Sequence, residues 1–155
     1  MYIQQLDAFY PPHFLPLATL SDYHTWSQKG IRQQMLSVFP RLLDVDELVL
    51  NIDQAHPGQL LQYRQSICLF LNLLIEKQDV FYARPFSEHA ALFTVAHIHF
   101  RNIMRLSEKC ALNLLIPGWQ IVIRGGDDLS MNILYSEAIP TDFKHIIAST
   151  DLFLL

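Results

Sequence analysis

Two apolar runs on either side of a glycine-rich turn constrain the fold of this chain more than any other segment. Residues 119–124 (Trp-Gln-Ile-Val-Ile-Arg) and 129–135 (Leu-Ser-Met-Asn-Ile-Leu-Tyr) flank the tetrapeptide Gly-Gly-Asp-Asp at 125–128. Adjacent glycines supply the positive φ values that a tight hairpin turn needs. The pattern therefore predicts an antiparallel β-hairpin near the end of the chain.

Hydrophobic spacing and capping residues predict four helices, over residues 23–38, 59–77, 88–116 and 141–148. Ser21-Asp22 and Thr141 are the expected N-caps of the first and last helices. The third helix leaves an alternative open. Residues 91–100 also fit a buried strand, because a short apolar run does not distinguish the two.

Short strands are predicted at 47–53 and 80–83, and a turn at 56–58. Three prolines exclude a long helix from residues 1–20, and the apolar end at 152–155 is expected to dock on the core. Helices that alternate with strands, one pair of them antiparallel, indicate an α+β (mixed α/β) domain. We expect three to four helices packed on a small sheet that contains the hairpin, as a single domain over residues 1–155.

Composition excludes several classes of protein. Hydrophobic residues make up 51% of the chain, which indicates a globular protein rather than a disordered one. The net charge of −4 argues against nucleic-acid binding. There is no secretory signal and no apolar run long enough to span a bilayer, so we expect a cytoplasmic protein without membrane contact. Cys68 and Cys110 have no metal-binding spacing and are expected to be buried free thiols.

The sequence offers little catalytic chemistry. The turn at 125–128 resembles the GGDEF hairpin of diguanylate cyclases and the GDD turn of viral polymerases, whose carboxylates hold divalent metal. However, Leu129 stands where the cyclase pattern has Phe, and only 27 residues follow Asp128. His97 and His99 would share one face of a strand but would diverge on a helix. We predict no enzyme activity, cofactor or metal, and keep a metal-dependent enzyme using Asp127 and Asp128 as the least favoured alternative.

Acidic residues are concentrated in two places. Four acids lie between residues 44 and 53 with no Lys or Arg among them. From residue 125 onward, five acids stand against Lys144 alone, which gives that end a charge of −4. Acids clustered on a rigid surface attract a basic partner and pair with it.

The stretch 119–155 resembles small bacterial immunity proteins, in the hairpin Ile-Val-Ile-Arg-Gly-Gly-Asp-Asp followed by a short final helix, and also in size, acidity and missing catalytic motifs. The resemblance implies a non-enzymatic inhibitor that covers the active site of a cognate toxin domain, often a basic nuclease. We expect partner-binding residues at Asp127, Asp128, Tyr135, Glu137 and Asp142, with Trp119 as a second aromatic anchor. The alternative is a secretion chaperone or adaptor with an exposed apolar groove. The sequence sets neither the toxin's identity nor the oligomeric state.

Overall fold

The computed structural model describes residues 30–82, 93–94, 113–125 and 129–155. These residues contribute seven strands to one sheet, in the order β3-β2-β4-β5-β6-β1-β7, and every neighbouring pair is antiparallel. The strands are β1 (Arg32–Ser37), β2 (Phe81–Tyr82), β3 (Phe93–Thr94), β4 (Asn113–Ile116), β5 (Ile121–Gly125), β6 (Ser130–Tyr135) and β7 (Phe153–Leu154).

The described helices are α1 (Val45–Leu48), which continues into a π-helical segment (Val49–Asp53), α2 (Pro57–Lys77) and α3 (Thr141–Ala148). A 3-10 turn (Pro117–Trp119) joins β4 to β5. Together with the sheet, these helices confirm the predicted α+β class. The C-terminal hairpin is confirmed as well, because β5 pairs with β6 from Ile121–Tyr135 to Gly125–Met131.

The central strands are buried on both faces of the sheet. One face packs on α2 and α3 through side chains of β4, β5, β6 and β1, among them Ile116, Ile123, Ile133 and Leu36. On the opposite face Leu115, Val122 and Leu134 are also fully buried. Burial on both faces explains why these strands read as nearly continuous apolar runs rather than as alternating patterns.

Phe143 of α3 joins the helices to the sheet. Its ring is fully buried and meets Phe70 of α2 edge to face at a centroid distance of 5.7 Å. Trp119, after β4, meets the same ring at 5.8 Å. Three elements that are distant in sequence therefore converge on one side chain.

Two helix predictions are confirmed in position but need a correction at their N-termini. Helix α3 has the predicted bounds, but Thr141 is not its cap: Pro140 occupies that position without a side-chain hydrogen bond. Helix α2 begins two residues earlier than expected because the predicted turn at 56–58 is its N-terminus. The backbone N–H of Gly58 donates to Nδ1 of His56 at 3.1 Å, and Pro57 takes the first helical position.

The predicted helix over 23–38 is wrong in its described part. Residues 32–37 form β1, which pairs with β6 on one side and with β7 on the other. Gly30, with φ of +74°, lies just before the strand in a conformation that a helix does not allow. Backbone pairing in the sheet outweighs the local helical pattern here. Residues 23–29, with the cap predicted at Ser21-Asp22, lie outside the described residues.

The strand predicted at 47–53 is also wrong, because this segment is helical. Asp44 and Glu47 form a reciprocal capping box. The Glu47 N–H donates to the Asp44 carboxylate at 2.9 Å, and the Asp44 N–H donates to the Glu47 carboxylate at 3.1 Å. A capping box fixes a helix start, and it outweighed the β-branched residues that suggested a strand.

The predicted helix over 88–116 is wrong at its described positions, which form β3 and β4. The pairing of Phe93–Thr94 with β2 agrees with the strand alternative for residues 91–100 at those two positions. The short strand predicted at 80–83 is confirmed as β2. The apolar C-terminus is docked as predicted: Leu155 N donates to Met35 O at 2.7 Å, and Met35 N donates to Leu155 O at 3.1 Å. Residues 1–20 lie outside the described residues.

Candidate functional site

Three of the residues predicted to bind a partner are described, and they lie at different places in the fold: Tyr135 in β6, Glu137 after it and Asp142 in α3. Tyr135 is half-buried, packs against the core, and donates its hydroxyl to Oε1 of Gln34 at 3.4 Å. Its hydroxyl therefore links β6 to β1. Trp119 is likewise committed to the core through Phe143.

Glu137 and Asp142 are exposed, and Glu137 is not at the hairpin turn. That turn connects Gly125 to β6, whereas Glu137 follows the far end of β6. The strand is six residues long, which separates its ends by about 17 Å. Asp142 stands in the first turn of α3. Asp127 and Asp128 lie outside the described residues.

Among the described residues, a distinctive exposed surface lies on residues 42–53, the loop and helical segment after β1. Four large apolar side chains point into solvent there, with exposed fractions of 64% for Leu42, 75% for Val45, 36% for Val49 and 60% for Leu50. Asp46 and Asp53 are exposed among them. We call these six residues the acidic–apolar surface.

Helical periodicity explains which side chains face outward. Leu48 and Ile52, four residues apart, pack against the core. Asp46, Leu50 and Asp53 are spaced by four and three residues, so they form one stripe on the outer side of the segment. Its apolar side chains are therefore held in solvent by the packing of their neighbours.

An ion pair between Arg41 and Glu47 connects the helical segment to the loop that precedes it. Both terminal nitrogens of Arg41 bind the Glu47 carboxylate, and Nη1 also donates to the Leu42 carbonyl at 3.1 Å. The hydrogen bonds from Arg41, followed by that from the Asp44 backbone, lower the pKa of Glu47 to about 2. Because Asp44 and Glu47 serve the capping box, Asp46 and Asp53 are the acids of this cluster that have no partner in the part of the chain that the structure describes.

Contacts with α2 and hydrogen bonds within the segment also hold it in place. Phe39 is buried between β1 and α1, and its ring meets Tyr63 of α2 edge to face at 5.2 Å. The π-helical segment ends with a hydrogen bond from Gln54 N to Val49 O at 2.9 Å, and Asn51 Nδ2 donates to Glu47 O at 2.7 Å. The acidic–apolar surface is therefore preorganised, which lowers the entropic cost of binding.

Sequence reasoning found the acids of this segment but missed its apolar side chains. The signal was present: Asp44 and Glu47 have the spacing of a capping box. A helix beginning at that point would have placed Val45 and Leu50 outside the core. The sequence pattern was instead interpreted as a strand over 47–53, which has no such helical face.

The chemistry available elsewhere in the described residues is limited. They contain no group of three or more His, Cys, Asp or Glu side chains that could hold a metal ion. Cys68 is buried, as predicted, and desolvation raises its pKa to about 12, which suppresses the thiolate. Cys110, His97 and His99 fall outside the described ranges. None of the helices in those ranges is long and apolar enough to cross a membrane.

Comparison with known proteins gives no assignment. No family model matches the sequence, and no curated protein or solved structure matches it significantly.

Proposed function

We propose that this chain is a non-catalytic binding protein that neutralises a basic bacterial toxin domain, in the manner of an immunity protein. The acidic–apolar surface is the observation that carries the proposal. Exposed apolar side chains of this size, such as Val45 and Leu50, are typical of surfaces that become buried against a partner. The acids among them select a partner of opposite charge.

Charge favours a basic partner over a second copy of the chain at this surface. The chain carries a net charge of −4. A two-fold contact would place Asp46 and Asp53 against the same acids of the second copy, because such a contact uses the same patch on both sides. A domain rich in Lys and Arg instead gains steering at long range and ion pairs on contact.

The proposal assigns different roles to the apolar and acidic residues. Leu42, Val45 and Leu50 supply the buried centre of the interface, and the acids surround it. Glu137 and Asp142, which are exposed, and Asp127 and Asp128 add to the negative field that attracts the toxin. The protein acts in the cytoplasm, where it covers the toxin's active site and performs no chemistry of its own.

Co-expression with the product of the adjacent upstream reading frame tests this function. We expect that product to have a C-terminal domain that kills cells alone and spares them when this chain is present. A Val45→Ser/Leu50→Ser variant should lose protection while keeping the wild-type thermal unfolding midpoint. A harmless neighbour that does not bind this chain would contradict the proposal.

A secretion chaperone or adaptor is the second candidate. Two exposed leucines of α2, Leu61 at 56% and Leu69 at 46% exposure, favour it. A chaperone would keep a secreted substrate from aggregating without inhibiting its activity. An activity assay of the bound partner therefore separates the two functions.

A further inference from the structure

Helix α2 has an exposed face that is almost without charge. Arg64 is the one charged residue between positions 57 and 75, although about a quarter of the residues in an average protein are charged. Between positions 57 and 75, the exposed residues are glycine, glutamine, asparagine and leucine: Gly58, Gln59, Leu61, Gln62, Gln65, Leu69 and Asn72. A helix face exposed to water normally carries charged residues.

The two exposed leucines of this face are placed symmetrically. Leu61 lies four residues before Gln65 and Leu69 four residues after it, so the leucines are about 12 Å apart along the helix axis. All three side chains lie on the outer side of α2. If two such helices run antiparallel and cross at Gln65, each Leu61 meets Leu69 of the other helix.

A groove adjoins this face. It has a volume of about 330 Å³ and runs between α2 and the residues that follow α3; it is lined by Gln62, Gln65, Ser66, Leu69, Ser149, Thr150 and Asp151. The hydroxyls of Ser149 and Thr150 donate to carbonyls of α3, and that of Ser66 to a carbonyl of α2. The groove leaves space beside α2 for a side chain from outside, and Leu69 is its one apolar lining residue.

We propose that α2 mediates a two-fold symmetric dimer of this chain, with Gln65 at the symmetry axis. Two chains of charge −4 repel each other, so they approach more easily through a face with few charges, such as this face of α2. A two-fold contact also needs a patch that complements itself. The spacing of Leu61 and Leu69 about Gln65 meets this need, and the Gln65 amides of the two copies can hydrogen-bond to each other across the axis.

This inference does not depend on the proposed function. It uses no residue of the acidic–apolar surface, and each copy in the dimer keeps that surface for its own partner. Failure of the dimer would leave the toxin-binding proposal standing, and the reverse also holds.

Sedimentation equilibrium of the full chain, from low micromolar to millimolar concentration, tests the dimer. Gln65→Glu places two carboxylates at the axis and should raise the dimer dissociation constant by about tenfold or more. Gln54→Glu makes the same charge change at an exposed residue outside α2 and should leave association unchanged. A wild-type chain that stays monomeric throughout, or equal effects of the two variants, would overturn the proposal.

Cysteine cross-linking tests the register. Under mild oxidation Gln65→Cys should give a disulfide-linked dimer, because only a residue at the axis meets its own copy. Asn72→Cys should not, since the two cysteines would lie about 21 Å apart along antiparallel helices that cross at Gln65. Cross-linking at position 72 but not at 65 would refute the register, even if a dimer is present.

Discussion

Arg41 holds the carboxylate of Glu47 with both of its terminal nitrogens, and this pair attaches the loop after β1 to the start of α1. The same carboxylate accepts from the Asp44 backbone, so one acid serves both an ion pair and a helix cap. The position of the acidic–apolar surface depends on this arrangement.

Removal of the arginine should loosen the surface while the fold stays intact. The pair is exposed, so Arg41→Met should change the global unfolding midpoint little. Amide exchange across residues 45–53 should become faster, because the helix start loses its tie. Hydrogen exchange measured by mass spectrometry checks this, with Arg32→Met, at an exposed arginine of β1, as the control. Unchanged exchange would show that the capping box suffices without Arg41.

Low pH should break the same ion pair between Arg41 and Glu47, because it protonates the Glu47 carboxylate. The folded-state pKa of Glu47, about 2, lies below its ordinary value of 4.5. The stabilisation is therefore complete above about pH 4.5 and is lost as the pH falls towards 2. The protection factors of residues 45–53, taken relative to the intrinsic amide exchange rate at each pH, should fall as the pH drops through that window in the wild type, and this fall should be absent in Glu47→Gln. An identical pH profile in both proteins would contradict the assignment.

The core around Phe143 should tolerate truncation poorly. Its fully buried ring contacts both Phe70 and Trp119, so Phe143→Ala should cost about 3–5 kcal/mol of unfolding free energy. Lys144→Ala, at the exposed neighbouring position, should change that energy by less than about 0.5 kcal/mol. Urea unfolding followed by far-UV circular dichroism gives both values. Similar losses in the two variants would mean that α3 does not pack as described.

Alanine substitutions at two glycines test the backbone conformation at the start of β1. Gly30 has a φ of +74°, so Gly30→Ala should destabilise the protein by about 1 kcal/mol although the space around it is open. Gly118→Ala should cost less, because its new methyl group meets only the flexible amide end of Gln78. Thermal unfolding of both variants measures the order, and the reverse order would contradict the conformation at Gly30.

Sequence reasoning succeeded where local and tertiary signals agree. The hairpin between Gly125 and Ser130 and the final helix carry turn chemistry and periodicity that match their tertiary roles. The helix predicted over residues 32–37 was wrong because these residues pair with β6 and β7, which are distant in sequence, and therefore form a strand. The strand predicted over residues 47–53 was wrong because the helix cap at Asp44 outweighed the β propensity of these residues.

The same conflict explains what could be predicted about the site. Charged residues can be located directly in the sequence, so the acids of residues 44–53 were recognised. Exposure is a property of packing, and Val49 and Leu50 are exposed on a helical segment where a strand was predicted. The roles expected of Tyr135 and Trp119 depended on which way the rings point, and the structure directs both towards the core.

Association kinetics with the toxin domain test the central claim most directly. Asp46→Asn/Asp53→Asn should lower the association rate constant by about two- to tenfold at low salt, and Leu50→Ser should raise the dissociation rate constant by about tenfold. Asp79→Asn, at an exposed acid beyond α2, is the matched control. Wild-type rates in both surface variants, with charge reversal of Asp127 and Asp128 alone slowing association, would place the interface at the hairpin turn and contradict the account.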